Sequence, residues 1–340
     1  MRMKKIAGLL SIFFIIISLI SACTIQESIK VVATVNDEEI TSDILKFYIE
    51  SIKLQMENEA SQAGQTDMEK FWQTEIEGKK AVDIAKEKAL EQAVNNKVQF
   101  LKAKELGLSL SEEDNKMING QKGNMIKSAG SRKNYEEMLK QYGLTDKTFT
   151  KIMGEQFLIS KLGEKILAGE ESLAVTDQEM KDYYDSNKNS LSKIKAKHIL
   201  FKTVDDNMQA LSQEQQDEAK KKAEEVLNRI KAGEDFDTLM NEFSEDPGSK
   251  ANPDGYIFGR NEMVSAFEEA AYALKPGEVS ELVESEYGYH IIKREDLTLE
   301  DMKSNDAIET EIKINILTEK WKKDMDIKTN DKVLKQIKIN

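Results

Sequence analysis

Cysteine, proline and histidine are scarce in this chain. One cysteine, three prolines and two histidines occur among its 340 residues. A single cysteine excludes an intramolecular disulfide, so packing and hydrogen bonds must hold the fold. Few prolines and 33% charged residues favour long, solvated helices. The formal charge of −13 argues against nucleic-acid binding, because that binding depends on Lys and Arg neutralising phosphates.

Long apolar runs are also missing, except at the start of the chain. Three basic residues precede an apolar run from Ile6 to Ile20, which Ser21, Ala22 and Cys23 follow. This order is typical of a secretory signal. A permanent span needs about 20 apolar residues, so the run is marginal as one. An uncleaved anchor, or an ordinary signal with an incidental cysteine, is the alternative.

The end of this run is similar to the bacterial lipobox, in which the cysteine thiol receives diacylglycerol and becomes the mature N-terminus. The resemblance rests on Ile20-Ser21-Ala22-Cys23. It implies a lipoprotein signal peptide over residues 1–22 and lipidation of Cys23. Two acyl chains attach a protein durably where one is marginal. We therefore expect the mature chain to lie on a membrane without crossing it.

The residues that follow are mostly helical in pattern. A β-branched strand is predicted at Val31–Val35, and apolar residues then recur at helical spacing to about residue 190. Ser111 and Thr176 are each followed three residues later by an acidic residue, which predicts helix starts. The polar segment from Glu57 to Asp67 is predicted to be a loop.

The pattern changes between residues 194 and 296, where strands alternate with helices. This order predicts an α+β unit of about 100 residues, which is enough for one core. A helical pattern returns after Leu297, so the unit is predicted to be an insertion. The predicted elements are a strand at Ile194–Thr203, a helix from Ser212 to Gly233, a helix at Phe236–Phe243, a loop at Ser244–Gly255, a strand at Tyr256–Phe258, a helix at Ala266–Leu274 and a strand at Tyr289–Arg294.

Both histidines of the chain, His198 and His290, fall on predicted strands of this unit. A strand histidine alone is more often a hydrogen-bonded core residue than a catalyst. The flanking sequences, however, resemble the parvulin family of prolyl isomerases in five motifs, in the family's order. These are Ala196-Lys197-His198-Ile199-Leu200, Phe243-Ser244-Glu245-Asp246, Phe258-Gly259-Arg260-Asn261-Glu262-Met263 with Phe267, Leu274-Lys275-Pro276-Gly277-Glu278-Val279-Ser280, and Ser285-Glu286-Tyr287-Gly288-Tyr289-His290-Ile291-Ile292.

The parvulin resemblance implies a catalytic network. His198 and His290 would form a pair of imidazoles, and Asp246 and Ser285 would be hydrogen-bonding partners near the twisting amide. On the residues alone, Asp246 is equally well explained as a turn or helix cap. Ser285 is equally well explained as a solvent-facing strand hydroxyl.

The same resemblance implies a substrate slot. Met263 and Phe267 would hold the proline ring, with Leu200 beside them, whereas spacing alone favours ordinary core packing for these side chains. Such a site needs no metal and no cofactor. It must bind the twisted amide better than either planar form, and an apolar slot does so by removing the water that favours the planar amide.

The sequence departs from the parvulin pattern at Asn252-Pro253-Asp254-Gly255-Tyr256, where the glycine and the bulky residue are rearranged. The departure concerns the upper wall of the slot. A second departure is that no basic cluster follows the first strand, where Lys202-Thr203-Val204-Asp205-Asp206 stands instead. We therefore expect no preference for phosphorylated substrates.

The whole plan resembles the PrsA family, lipid-anchored foldases on the extracytoplasmic face of Gram-positive cell membranes, related in plan to the chaperone SurA. It implies a parvulin-like domain (194–296), a small antiparallel sheet with surrounding helices, inserted in a mostly α-helical SurA-like chaperone domain. That domain would comprise residues 23–193 and a C-terminal helical segment, 297–340, packed against them. The implied partners are unfolded or partly folded secreted proteins with X-Pro bonds, and a homodimer is compatible with the resemblance.

Two other functions are weighed against this one. The first is a non-catalytic holdase with a vestigial parvulin domain. The second is a solute-binding lipoprotein, which would require alternating β-α-β elements over most of the chain. The long helical stretches argue against the second.

Overall fold

The computed structural model describes residues 29–62, 64–187, 193–260 and 262–339. The expected signal peptide and lipidated Cys23 lie outside these residues. Within the described ranges, the helices are all too short or too polar to cross a membrane. The described chain forms two compact units. One comprises the residues up to Met180 together with those from Asp306 onward, and the other comprises Lys181–Asn305.

The first unit is mostly helical. Its N-terminal part contains β1 (Val31–Val35), β2 (Glu38–Thr41), α1 (Ser42–Gln62), α2 (Met68–Phe71), β3 (Glu75–Ile76), β4 (Lys79–Lys80), α3 (Ala81–Glu105), α4 (Glu112–Ser128), α5 (Arg132–Gln141), α6 (Asp146–Leu167) and the beginning of α7 (Asp177–Asn187). The C-terminal part of the first unit contains α13 (Asp306–Lys322), β9 (Ile327–Thr329) and α14 (Asp331–Gln336), because the elements numbered in between belong to the second unit.

The two ends of the described chain meet in this first unit. Strand β1 is the centre of an antiparallel sheet in the order β2-β1-β9, so that Val35 pairs with both Glu38 and Ile327. Helix α13 packs beside α3 and α6, where Leu317 joins the buried Leu158 and Leu162. The C-terminal segment therefore contributes both a strand and a core helix to the unit that the N-terminal segment begins.

Side-chain caps explain where several helices begin. Ser111 and Asp114 form a reciprocal capping box at α4, and Thr176 and Glu179 exchange the same bonds at α7, as predicted. The predicted loop from Glu57 to Asp67 is confirmed only at residues 64–67, because α1 continues to Gln62. Met56 packs against the buried Ala81 and Ala85 of α3, and this contact lies where α1 enters the polar segment.

The second unit is the α+β unit that the sequence predicts. It contains the rest of α7, β5 (Lys193–Lys202), α8 (Gln213–Lys231), α9 (Phe236–Phe243), α10 (Pro247–Ala251), β6 (Tyr256–Gly259), α11 (Ser265–Ala273), β7 (Val283–Ser285), β8 (Gly288–Glu295) and α12 (Leu299–Lys303). The strands form one antiparallel sheet in the order β6-β5-β8-β7. The segment predicted as a loop, Ser244–Gly255, contains the short helix α10. Strand β7 was not predicted from the sequence.

Alternation along β5 and β8 separates the two faces of this sheet, because successive side chains of a strand point to opposite sides. Ile199, Phe201 and Ile291 bury one face against α8 and α9. Residues at the intervening positions, including Ala196 and Ile292, line the other face, where they pack with Phe258, Phe267 and Ala271. His198 and His290 occupy the same alternate positions, so their side chains also lie on this second face.

Candidate functional site

His198 and His290 are brought together by the register of the central strand pair. His198 lies opposite Ile292, and His290 lies opposite Leu200, so the two histidines are diagonal neighbours on one face. Their Nδ1 atoms are 3.1 Å apart. The ring planes are inclined by 13° with centroids 5.3 Å apart, which fits an edge-to-edge hydrogen bond between two imidazoles that are nearly coplanar.

Each histidine has a second partner at its outer nitrogen. His198 Nε2 lies 2.8 Å from Asp246 Oδ2, and His290 Nε2 lies 2.7 Å from Ser285 Oγ. Ser285, His290, His198 and Asp246 therefore form one continuous hydrogen-bonded chain. The structure places together all four residues that the parvulin resemblance implies for the network.

Asp246 holds its position through further contacts. It is the N-cap of α10, where its Oδ1 accepts the Gly248 amide at 3.1 Å. Its Oδ2 also accepts from Tyr256 Oη at 2.6 Å and from Ser249 Oγ at 2.9 Å. The cap expected from the residues alone is thus present, and the same carboxylate ends the histidine network.

The charges of the network follow from these contacts. Burial alone would raise the pKa of Asp246, but the hydrogen bond from His198 and those from its other donors hold that pKa well below the usual range. Burial, reinforced by the neighbouring His198, lowers the pKa of His290 to about 4. At neutral pH the site therefore contains a carboxylate anion and an uncharged His290.

The ionised carboxylate of Asp246 determines which nitrogen atom of each imidazole carries a hydrogen. A carboxylate only accepts hydrogen bonds, so His198 Nε2 must carry the hydrogen. When both imidazoles are uncharged, His198 Nδ1 is an acceptor, His290 Nδ1 donates to it, and His290 Nε2 accepts the Ser285 hydroxyl hydrogen. The Tyr287 amide donates to Ser285 Oγ at 3.1 Å, which leaves the hydroxyl hydrogen free to point toward His290.

The predicted slot residues lie on the same face of the sheet. Phe267 is 3% exposed, and its ring centroid is 5.1 Å from that of His198 and 5.5 Å from that of His290. Met263 is half-buried and packs in the same apolar cluster as Phe267. Leu200 is buried on β5, two residues from His198 and opposite His290. An apolar wall and a polar network thus adjoin each other at Phe267.

The departure from the parvulin pattern gives the site a residue that the sequence reading missed. Gly255 has a φ of +96°, and a Cβ atom there would lie 2.7 Å from the Ala196 carbonyl oxygen. The chain can therefore pass close to β5, and the next residue, Tyr256, reaches Asp246. The rearranged glycine and bulky residue at Gly255 and Tyr256 were the sequence signal that could have identified Tyr256. Ser249, which also donates to Asp246, was missed as well, and no sequence signal points to it.

The part of the chain that the structure describes contains no group of three or more His, Cys, Asp or Glu side chains arranged to hold a metal ion.

Comparisons with known proteins identify two matching families. A family profile described as a PPIC-type PPIase domain matches residues 198–296, and one described as a SurA-like N-terminal domain matches residues 1–163. The foldase protein PrsA of Caldanaerobacter subterraneus is 32% identical over 324 residues, which cover 94% of this chain and 90% of that protein. PrsA of Geobacillus kaustophilus is 40% identical over 171 residues, 50% of this chain and 53% of that one.

Among solved structures, the parvulin NmPin of Nitrosopumilus maritimus is 40% identical, covers 31% of this chain and 97% of its own, and has a TM-score of 0.24. The near-complete match to the Caldanaerobacter protein decides the family. The chain belongs to the PrsA foldase family, and it is an extracytoplasmic foldase with a parvulin-type peptidyl-prolyl cis-trans isomerase domain.

Proposed function

We propose that the chain Ser285–His290–His198–Asp246 and the apolar slot beside it are the isomerase site. The observation that carries this proposal is the unbroken hydrogen-bonded chain on one face of the sheet, with the Phe267 ring against both imidazoles. Met263 and Phe267 hold the proline ring, and Leu200 borders the slot.

The chemistry is rotation without bond breaking. The barrier is about 18–20 kcal/mol because twisting the peptide bond destroys amide resonance. The slot holds the proline ring and excludes water, which would otherwise favour the polar planar amide. The network then supplies a fixed field at the carbonyl and the nitrogen of the twisted amide. Asp246 and the histidines organise that field, and none of them needs to transfer a proton or form a covalent bond.

The slot is tested by truncating Met263 in the full chain. Burying a Met side chain contributes about 1.5–3 kcal/mol, so Met263→Ala should reduce catalysed cis-trans exchange of a short X-Pro peptide by about ten- to a hundredfold. Exchange NMR measures this rate directly. Met117→Ala is the matched control, because Met117 is exposed on α4 in the other unit. Equal rates for Met263→Ala and the wild type would contradict the slot.

A second activity is proposed for the helical part, residues 23–193 with 297–340, which we propose holds unfolded clients. Leu54 and Ile76 are large apolar side chains exposed in the first unit, and this unit has a core of its own. A chain lacking residues 194–296 should still suppress aggregation of an unfolded secreted protein. If suppression disappears with that deletion, holding belongs to the isomerase domain instead.

We also propose that Cys23 carries the lipid that attaches the mature chain to the outer face of the cell membrane, after removal of residues 1–22. The support is the lipobox-like Ile20-Ser21-Ala22-Cys23 that follows an apolar run. Mass spectrometry of the N-terminal peptide should show a diacylglyceryl adduct at Cys23. In Cys23→Ser cells the protein should appear uncleaved or in the medium, and an unmodified N-terminal cysteine in the wild type would contradict the proposal.

A further inference from the structure

Tyr256 belongs to the segment at which the sequence departs from the parvulin pattern, and it contacts two members of the network. Its Oη donates to Asp246 Oδ2 at 2.6 Å, the shortest hydrogen bond of that carboxylate. Its ring meets His198 edge-on, with centroids 5.7 Å apart and planes inclined by 79°. The hydroxyl and the ring thus touch both partners of the hydrogen bond between Asp246 and His198.

The backbone around Tyr256 is arranged for this contact. Tyr256 begins β6, where it pairs with Ala196 of β5, two residues before His198. On the other side, a Cβ atom added at Gly248 would lie 1.9 Å from Tyr256 Oη. The φ of Gly248 lies outside the left-handed region, so its backbone would accept alanine. The hydroxyl of Tyr256 is the nearest obstacle to a side chain at this position, followed by Tyr256 Cζ at 3.1 Å and Asp246 Oδ2 at 3.3 Å.

We propose that Tyr256 is a positioning residue of the isomerase site: its hydroxyl fixes the Asp246 carboxylate so that Oδ2 faces His198 and sets the proton order of the network. This inference rests on the proposed function. Three donors, from His198, Ser249 and Tyr256, converge on Asp246 Oδ2. The Asp246 side chain is 17% exposed, so without the Tyr256 bond the carboxylate is freer to turn toward water.

The order of protons along the network gives a direct readout. The only two histidines of the chain are His198 and His290, so an untagged full chain labelled with ¹⁵N-histidine shows two imidazoles. In the wild type, His198 should be the Nε2–H tautomer and His290 the Nδ1–H tautomer. In Tyr256→Phe, the nitrogen shifts of His198 should move toward the average of the two tautomers.

Catalysis supplies the second readout. Tyr256→Phe removes one charge-assisted hydrogen bond and should lower kcat for an X-Pro peptide by about tenfold with KM unchanged. Gly248→Ala should reproduce both effects by displacing the hydroxyl, and in the Tyr256→Phe background it should add little. Gly120→Ala is the control, because a Cβ atom there meets nothing within 4 Å.

Two results would overturn the role of Tyr256. One is wild-type imidazole shifts in Tyr256→Phe. The other is a loss of activity that falls entirely on KM, because Tyr256 would then contact the substrate and not position the carboxylate. The imidazole spectra need no peptide, whereas an inactive wild type would contradict the proposed function itself. Failure of the two proposals can therefore be told apart.

Discussion

Both units of the chain bury a polar cluster, but the two clusters are built differently. In the first unit, Lys97 Nζ lies 2.6 Å from Glu155 Oε1, with the residues 2% and 7% exposed. Tyr48 lies beside this pair, and its hydroxyl accepts from Asn96 at 3.1 Å. Two opposite charges compensate each other here, which is an arrangement that maintains a fold.

In the second unit, the buried centre of the cluster is a pair of imidazoles, and its ends are the half-buried Asp246 and Ser285. A hydrogen-bonded chain thus connects the interior of the sheet face with its surface. A buried polar group therefore need not mark a functional site. The two charges of a buried ion pair compensate each other, whereas a hydrogen-bonded chain with accessible ends can present polarity to a bound amide.

The largest expected effect comes from breaking the buried pair. Lys97→Met leaves the buried Glu155 with only Lys151, which is exposed and 3.9 Å away, and should destabilise the first unit by about 3–5 kcal/mol. Isomerase activity should be unchanged under native conditions. Both tryptophans, Trp72 and Trp321, belong to the first unit, so tryptophan fluorescence during urea unfolding reports on that unit alone.

The exposed pair Lys79–Glu87 provides the control for this prediction, with side chains 58% and 53% exposed. Lys79→Met should cost less than about 1 kcal/mol. Adding Glu155→Leu to Lys97→Met should recover stability, because no uncompensated charge then remains buried. An effect of Lys97→Met no larger than that of Lys79→Met would show that the pair is not buried as described.

Acidification should affect the second unit through its histidine network. In the folded chain the pKa of His290 is lowered to about 4, whereas in the unfolded chain the same imidazole has a pKa of about 6.5. The unfolded state therefore takes up the proton first, and stability falls as pH drops from about 6.5 to about 4, by about 3 kcal/mol in total. Below pH 4 this contribution is constant.

The first unit contains no histidine, so it provides an internal reference. Amide hydrogen exchange in β5 and β8 should accelerate over this pH window, after correction for intrinsic rates, more than exchange in α3. His290→Asn should remove the difference. Equal protection of the β5–β8 pair at pH 6.5 and pH 4.5 would contradict the buried, uncharged state of His290.

The smallest expected effect separates two tyrosines with similar surroundings. Tyr48 accepts from Asn96 and Gln156 beside the ion pair, and burial raises its pKa to about 12. Tyr48→Phe should cost about 1 kcal/mol of stability in the first unit and leave catalysis unchanged. Tyr256→Phe should instead lower the rate of peptide exchange, so thermal unfolding and peptide exchange measured on both variants separate the roles of the two tyrosines.

The sequence predicted most of the fold where one local signal dominates. The strand predicted at Ile194–Thr203 is β5, and Ser212 with Gln215 predicted the start of α8, where the structure shows a capping box. Strands β7 and β9 were missed because three residues carry no periodicity of their own. Both exist through pairing, β7 with β8 and β9 with β1.

The residues of the hydrogen-bonded network could be predicted from the sequence, but the residues that position them could not. The order of the motifs identified His198 and Asp246, although no local sequence feature specifies a contact between residues 48 positions apart. Tyr256 was visible only as a departure from a pattern. Its contact with Asp246 depends on Gly248 and Gly255 leaving room for it, and such three-dimensional space has no signature in the sequence.

We propose that the imidazole network on one sheet face accelerates rotation of the X-Pro bond. Exchange NMR on a short X-Pro peptide, with the full wild-type chain and with His198→Ala, tests it most directly. The substitution removes the middle of the network and leaves His290 and Asp246 without their shared partner. We predict acceleration by the wild type and a loss of at least about a hundredfold in the folded variant. No acceleration by the wild type, or equal acceleration by the variant, would contradict the account.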